Sequence, residues 1–284
     1  MNGRWVVMLL AAGVLLFGSA CRRREPHRID RNLSTETVTY EADTASRNDE
    51  LLPVDDPRRL AAASRWDGNM QMVTSDEQIY IFSHGLGTKN EPYLLKDALD
   101  VARFAANVRY RGTPGNLDQN LTQYEGMHFR LECDIDLQGK PWFGIGGNGA
   151  VWEDSTMFAG TFDGNGHVIY NFALADTPMN GFFSFVGRGG TVRNLTIASG
   201  DVQVRAGEAM GLLVAGVRYG GTVENCTIRV NLIAPEGTVP QVGAVGVIET
   251  QGRDKWNVTF RNCDFSGVRL NGKAFELPDF AKKT

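Results

Sequence analysis

The hydrophobic positions between residues 92 and 108 follow a helical period. Five apolar residues recur there at alternating spacings of four and three: Leu94, Ala98, Val101, Ala105 and Val108. Residues at these spacings share one face of an α-helix, and most of the charged residues fall on the other face. Pro92 suits the first helical turn. The pattern predicts one amphipathic helix that covers an apolar surface.

After this helix the pattern changes to a period of two. Four apolar residues alternate with acidic ones: Leu131, Cys133, Ile135 and Leu137. Strict alternation is typical of a half-buried β-strand. Glycine accounts for 33 of the 284 residues and recurs at separate places along the chain. Because turns favour glycine, the remainder of the chain is predicted to be short strands joined by many turns.

An internal repeat dominates the second half of the sequence. Four segments share the pattern apolar–any–Asn–apolar–any–apolar, at residues 169–174, 192–197, 223–228 and 260–265. Their asparagines are Asn171, Asn194, Asn225 and Asn262. In a straight strand the first and fourth positions would face opposite sides, so a bend is needed to keep both inside. Asparagine tolerates the left-handed backbone that such a bend requires.

Stacking these bent units in register produces a parallel β-helix, a solenoid in which each coil packs on its neighbours. The asparagine side chains at successive corners can then form a hydrogen-bonded ladder. The open ends of a solenoid need protection. We therefore predict a mostly β fold, a short parallel β-helix with the amphipathic helix at about 92–108 as its N-terminal cap.

The N-terminus has the features of a bacterial lipoprotein signal. Arg4 precedes an apolar run at residues 5–17 that is too short to span a bilayer. Small residues then lead to Cys21, although Gly18 replaces the leucine usual in a lipobox. We predict a signal peptide at 1–20, lipid attachment at Cys21, a flexible polar tether at 21–64 and a β-helix domain at 65–284. This organisation places the protein at the cell envelope, on the outer membrane, where it is either periplasmic or surface-exposed.

Charge and motifs exclude some functions. The net charge is −4 and no basic patch appears in the body, so nucleic acid is not an expected partner. The four histidines include no His-Glu-x-x-His motif. The segment that begins at Asp134 resembles the start of a calcium loop but has Ile145 where the bidentate glutamate belongs. No metal site and no cofactor are predicted.

Asp134 and Asp136 are the only weak candidates for catalysis. They alternate on one predicted strand, so both carboxylates would lie on one face, roughly 7 Å apart. Such a pair could serve as the acid and base of glycosidic cleavage. The alternative is that both are solvated residues on the outer face of the strand.

Aromatic and amide side chains near glycine-rich turns provide candidate binding residues. They are Trp142, Phe143, Asn148, Trp152 and Tyr219. Aromatic faces and amides suit sugars and protein surfaces, but for Trp142 and Phe143 core packing at a coil junction is the favoured alternative. Cys226 and Cys263 hold the same place in successive repeats, as apolar fillers or as a disulfide.

The order of several motifs resembles the GLUG-repeat β-helix module. The matching segments are residues 88–95, 133–137, 142–146, the run Gly-Thr-Phe-Asp-Gly-Asn-Gly-His at 160–167 and the asparagine repeats. The resemblance spans about residues 79–265. That family occurs in surface proteins of Bacteroides-type bacteria and beside the peptidase domain of IgA-cleaving metallopeptidases. It implies a right-handed β-helix at the cell surface and no particular catalytic residues.

Three functions remain open at this point. The first is a non-enzymatic envelope lipoprotein that presents the β-helix for adhesion or for binding a glycan or a protein. The second is a polysaccharide-cleaving lyase or glycosidase that acts through Asp134 and Asp136. The third is a structural subunit of a larger envelope complex.

Overall fold

The computed structural model describes residues 51–69, 84–110, 124–147, 157–176, 180–204, 210–238, 240–248 and 258–278. All of them fall in one structural unit, Glu50–Thr284, and Met1–Asp49 is a separate unit. The predictions for Cys21, Asn148 and Trp152 lie outside the described residues.

Two helices and eighteen strands make up the described structure. The helices are α1 (Pro57–Ala62) and α2 (Ala98–Tyr110). In chain order, the strands are β1 (Ser64–Arg65), β2 (Tyr93–Leu95), β3 (His128–Leu131), β4 (Ile135–Asp136), β5 (Pro141–Trp142), β6 (Thr161–Asp163), β7 (Val168–Tyr170), β8 (Ala173–Leu174), β9 (Phe183–Gly187), β10 (Gly190–Arg193), β11 (Thr196–Gln203), β12 (Met210–Arg218), β13 (Gly221–Glu224), β14 (Thr227–Ile233), β15 (Val242–Ile248), β16 (Val258–Arg261), β17 (Arg269–Leu270) and β18 (Lys273–Ala274). None of the described helices has the length and apolar character needed to cross a membrane.

The strands form a parallel β-solenoid, which confirms the predicted fold class. Sheet 1 has the order β1-β4-β7-β11-β14-β17-β18, and sheet 2 the order β16-β13-β10-β6-β3-β2. Sheet 3 is β15-β12-β9, and sheet 4 is β5-β8. Three successive turns place a strand in each of sheets 2, 1 and 3. All pairings are parallel except the last, in which β18 runs antiparallel to β17.

Equivalent side chains stack along the solenoid axis and build its core. Sheet 1 stacks four isoleucines in register: Ile135, Ile169, Ile197 and Ile228. Sheet 2 stacks an inward column of Phe129, Phe162, Val192, Val223 and Phe260. Because the strands are about 4.8 Å apart, each coil covers the apolar side chains of the one before.

The amphipathic helix begins six residues later than predicted. Tyr93–Leu95 is strand β2, which pairs with β3, and α2 starts only at Ala98. The start is set by Asp97, whose Oδ1 accepts a hydrogen bond from the Asp100 backbone N–H at 2.8 Å. A carboxylate at this position satisfies one of the unpaired donors of the first turn. The role of the helix as an N-terminal cap stays a prediction.

The face of α2 that was predicted to be apolar packs on sheet 2. Phe104 is fully buried and its ring centroid lies 4.5 Å from that of Phe129 and 6.0 Å from that of Phe162. Phe158 meets the Phe104 ring edge-on at 5.5 Å. Aromatic side chains at these distances contribute favourable contacts beyond simple burial.

The predicted tether boundary at residue 64 is wrong, because the folded body already includes residues 51–64. Residues 57–62 form α1, and Ser64 and Arg65 form β1, which pairs with β4 at the edge of sheet 1. Asp56 caps α1 by accepting from the Arg58 N–H, and Pro57 occupies the first helical turn. This cap and the proline are a local helix-start signal within a stretch rich in charge.

The four repeat asparagines divide between two corners of the solenoid. All four have positive φ angles, between 50° and 53°. Asn194, Asn225 and Asn262 follow aligned residues of sheet 2 and share one corner. Asn171 instead follows Tyr170, the last residue of β7, and lies at the next corner. A single four-membered ladder is therefore wrong, because Asn165 and Gly166 lengthen the first corner in that coil.

Candidate functional site

The two candidate catalytic carboxylates are buried and lie in different structural settings. Asp134 precedes strand β4, at the corner between sheets 2 and 1, while Asp136 ends β4. Their exposed fractions are 9% and 7%. The single strand predicted at 131–137 is divided between β3 and β4. Neither carboxylate occupies the solvated face that the alternation predicted.

Asp134 is held by a buried cluster of partners. Its Oδ2 accepts from Arg59 Nε at 2.6 Å, and its Oδ1 accepts from the Val168 backbone N–H at 2.9 Å. His167 Nδ1 lies 3.1 Å from Oδ1, a distance at which the protonated nitrogen donates. Arg59 also donates to the carbonyl of Gly166 at 2.8 Å. The cluster thereby fastens α1 to the solenoid.

These partners lower the pKa of Asp134. Burial alone raises the pKa, but hydrogen bonds from His167, Arg59 and the Val168 N–H together outweigh it and lower the pKa to about 2. A general acid near neutral pH needs the opposite shift. The cluster therefore gives Asp134 the environment of a structural ion pair.

Asp136 stabilises the second corner. Its Oδ1 accepts from the Gln138 backbone N–H at 2.8 Å and from Asn171 Nδ2 at 2.7 Å. Gln138 and Asn171 both have left-handed backbone angles, with φ of 56° and 51°. The carboxylate thus joins two residues that turn the chain in neighbouring coils.

Two predicted binding aromatics are inside or partly inside the protein. Trp142 is fully buried, stacks on Phe182 with a centroid distance of 5.7 Å and donates from Nε1 to the Phe182 carbonyl at 3.0 Å. The ring of Trp142 fills the core, which agrees with the favoured alternative of core packing. Phe143 is half-buried, and its carbonyl accepts from Arg109 at 2.8 Å.

Tyr219 is the predicted binding residue that the structure leaves exposed, at 48%. Its φ of 62° turns the chain from β12 into β13. Two guanidinium groups lie over its ring, Arg218 at 5.1 Å and Arg188 at 5.3 Å from the centroid. We call Arg188, Arg218 and Tyr219 the Tyr219 corner. It combines an aromatic face with two positive charges.

The outer face of sheet 2 carries two regular columns that the repeat analysis missed. The threonine column runs through aligned His128, Thr161, Thr191, Thr222 and Thr259. The charge column runs through aligned Arg130, Asp163, Arg193, Glu224 and Arg261. The signal was the triplet Thr–apolar–charged, which recurs in β6, β10, β13 and β16 with alternating sign.

Asp163 of the charge column bonds to residues of the next coil. Arg193 Nε donates to Asp163 Oδ2 at 2.9 Å, and Asn194 Nδ2 donates to Asp163 Oδ1 at 2.9 Å. Asn225 Nδ2 in turn donates to Asn194 Oδ1 at 2.9 Å. Asn194 and Asn225 thus form a short ladder that ends on the Asp163 carboxylate. Because the sign alternates from coil to coil, each charged residue of the column faces an opposite charge on the neighbouring strand.

Cys226 and Cys263 directly follow Asn225 and Asn262 and are free thiols. Each sulfur donates to a backbone carbonyl of its own coil at 3.3 Å, Cys226 to Glu224 and Cys263 to Arg261. Burial raises the pKa of Cys226 to about 12 and also raises the pKa of Cys263. The two sulfurs act as small fillers of the stack.

Comparison with known proteins finds partial similarity to two longer proteins. No family model matches the chain. A protein of Evansella cellulosilytica, whose name describes a Gly-rich membrane protein, is 32% identical over 155 residues, covering 53% of this chain and 16% of that protein. Halomucin of Haloquadratum walsbyi is 31% identical over 150 residues, covering 49% of this chain and 2% of halomucin. The chain therefore spans a small part of each relative.

One solved structure is similar to this chain at a lower sequence identity than the two relatives. It is a crystal structure of a Bacteroides ovatus protein described as an immunoglobulin A1 protease, with a TM-score of 0.37 and 16% identity. The match covers 72% of this chain and 84% of that one. This degree of likeness is too low to assign an activity.

Proposed function

We propose that this protein is an envelope lipoprotein whose β-solenoid binds an acidic glycan at the Tyr219 corner. The observation that carries the proposal is the exposed Tyr219 ring beside Arg188 and Arg218. Guanidinium groups bind carboxylates and sulfates, and the exposed part of the Tyr219 side chain adds contact with the sugar. Together they suit a sugar that carries negative charge.

The surroundings of this corner support binding to an extended ligand. Tyr219 and Arg188 lie just before β13 and β10, so the corner adjoins the outer face of sheet 2. That face offers the hydroxyls of the threonine column at a regular spacing between coils. A polysaccharide that lies along the solenoid axis could hydrogen-bond to several coils at once.

An envelope location rests on two separate arguments. The N-terminal sequence has a signal-peptide pattern that ends at Cys21, where two or three acyl chains would hold the protein to a membrane. The name of the Evansella cellulosilytica relative describes a membrane protein. Incorporation of labelled palmitate into the full chain, with Cys21→Ser as the control, tests the anchor. Equal labelling of both proteins would contradict it.

The glycan proposal is tested by titrating the protein with uronic-acid and sulfated polysaccharides and with a neutral polysaccharide. We expect binding of the acidic polymers that weakens as salt is added, because the contact is partly ionic. Tyr219→Ala and Arg188→Ala should each weaken binding about tenfold. Arg229→Ala, which removes an exposed arginine on sheet 1, is the matched control. Equal loss in the control would contradict a site at the Tyr219 corner.

A further inference from the structure

Within the part of the chain that the structure describes, the C-terminal end of the solenoid is closed on one side and open on another. Sheet 1 ends in β18, which folds back antiparallel on β17. Sheet 2 ends in β16, and among the described residues no strand pairs with its outer edge. An unpaired edge strand offers backbone donors and acceptors to any strand that can align with it.

The backbone of β16 shows which groups face this open edge. The Arg261 carbonyl accepts from the Asn225 N–H at 2.8 Å, so Arg261 bonds toward β13. In a parallel strand, successive residues bond to opposite sides. Phe260 therefore directs its backbone N–H and C=O to the open edge. Its side chain is the last of the inward column of sheet 2.

A cavity of about 1060 Å³ adjoins the same edge. Its apolar lining includes Val245, Val258, Phe260, Phe265, Phe275 and Leu277. In earlier coils the equivalent inward residues Val192 and Val223 are buried beneath the next coil, whereas Phe260 is only partly buried. The stack thus stops with an apolar end that another coil would cover.

We propose that this end accepts an extended strand from a partner protein, one that acts as a further coil of the solenoid. The strand would pair with β16 through the Phe260 backbone and place an apolar side chain in the cavity. Addition of a strand to a sheet edge is a common mode of peptide recognition. This contact is independent of the glycan site at the Tyr219 corner.

The two columns of sheet 2 define the chemistry of that strand. The charge column alternates and ends on Arg261, so the residue opposite Arg261 should be acidic. By the same repeat, the residue opposite Thr259 should carry a hydroxyl group, and the residue opposite Asn262 should be an asparagine. The expected sequence pattern is therefore hydroxyl–apolar–acidic–Asn, the pattern that β13 already shows at 222–225.

A second copy of this chain, docked by the end at which β2 begins sheet 2, would not place an acidic residue opposite Arg261. The first strand of sheet 2 is β2, and Leu94 aligns with Arg130 in the charge column. End-to-end stacking of two copies would place Leu94 opposite Arg261. The charge pattern favours a different protein as the partner.

The chain's own coils supply a matched pair of probe peptides. The acidic probe is Gly-Gly-Thr-Val-Glu-Asn-Ser-Thr-Ile, from residues 220–228 with serine in place of Cys226. The control probe is the same peptide with arginine in place of Glu224, as β10 has at Arg193. Fluorescence anisotropy with the full chain should show about fivefold tighter binding of the acidic peptide.

Charge reversal on the protein provides the second arm. Arg261 is exposed, and Arg261→Glu should reverse the peptide preference; because the new carboxylate faces Glu224, circular dichroism first checks that the variant is folded. Hydrogen exchange should show that the acidic peptide protects the Phe260 amide in the unmodified chain. Absence of binding by either peptide at millimolar concentration, equal affinity for both, an unchanged preference in Arg261→Glu, or no protection of Phe260 would each overturn the proposal. Self-association of the chain that blocks the peptide would place a second copy at this edge and would also overturn it.

Discussion

Arg59 Nε donates to Asp134 Oδ2 at 2.6 Å, and the two side chains are 8% and 9% exposed. The pair joins helix α1 to the corner that leads into β4, although 75 residues separate them in the chain. A buried charge that loses its partner is costly because neither water nor an opposite charge remains to stabilise it. This ion pair makes residues 51–66 part of the folded body.

Replacement of Arg59 by alanine should destabilise the protein strongly. We expect a loss of roughly 3–5 kcal/mol in the free energy of unfolding, because Asp134 would stay buried without its cation. Urea unfolding followed by circular dichroism measures this loss. The neighbouring Arg58→Ala is the matched control, since Arg58 pairs with Asp56 at the surface and its side chain is 74% exposed. Similar small losses in both variants would contradict a buried, stabilising pair.

Acid should remove part of the stability through Asp134. Its pKa in the folded protein is about 2, below the ordinary value of 3.8, so its contribution is complete above about pH 4 and disappears as pH falls toward 2. The shift corresponds to roughly 2 kcal/mol. Urea midpoints measured between pH 2 and 6 should therefore fall more steeply for the unmodified chain than for Asp134→Asn. Parallel curves for the two proteins would show that Asp134 titrates normally.

The corner asparagines should prefer glycine to alanine as a substitute. Asn225 has a φ of 51° and donates to Asn194 Oδ1. Glycine retains the left-handed backbone and loses only the ladder bond, whereas alanine also introduces backbone strain of about 1 kcal/mol. Thermal unfolding should rank the unmodified chain above Asn225→Gly, and Asn225→Gly above Asn225→Ala. The reverse order for the two variants would contradict a left-handed corner.

The thiols of the solenoid should be intact and slow to react. Burial raises the pKa of both Cys133 and Cys226 to about 12, so little thiolate is present at pH 8. In a Cys21→Ser protein, a thiol reagent should react slowly with the folded chain and should count three thiols after unfolding without reductant. A count of one would instead show a disulfide between Cys226 and Cys263.

The solenoid could be predicted because each repeat is a short pattern of neighbouring residues in the sequence. An asparagine between two short apolar stretches marks a corner, and the pattern recurs at residues 194, 225 and 262 with the same structural role. Asn171 matched the same pattern but belongs to another corner, because the pattern alone does not reveal that Asn165 and Gly166 lengthen that coil. The start of helix α2 was predicted too early for a similar reason, since Leu94 fits a helical period although its backbone pairs with β3.

The site was less predictable because its parts come together only in the folded coil. Asp134 looked like an outward carboxylate of one strand, and nothing near it in the sequence indicated Arg59 as its partner. For Trp142 the sequence left a binding role open beside core packing, since an aromatic residue near a turn has the same local pattern whether it is buried or exposed. Tyr219 was found from its turn and Arg218 directly precedes it, but Arg188 reaches the ring only through the stacking of successive coils.

The most direct test of the account is the fate of an acidic glycan that the protein binds. The full chain is incubated with a uronic-acid polysaccharide, the complex is isolated, and the glycan is then released and analysed for size, reducing ends and unsaturated products. A binding protein returns the polysaccharide at its original length, and Tyr219→Ala retains much less of it. New reducing ends or unsaturated products that disappear in Asp134→Asn or Asp136→Asn would contradict the account and would identify a glycan-cleaving enzyme.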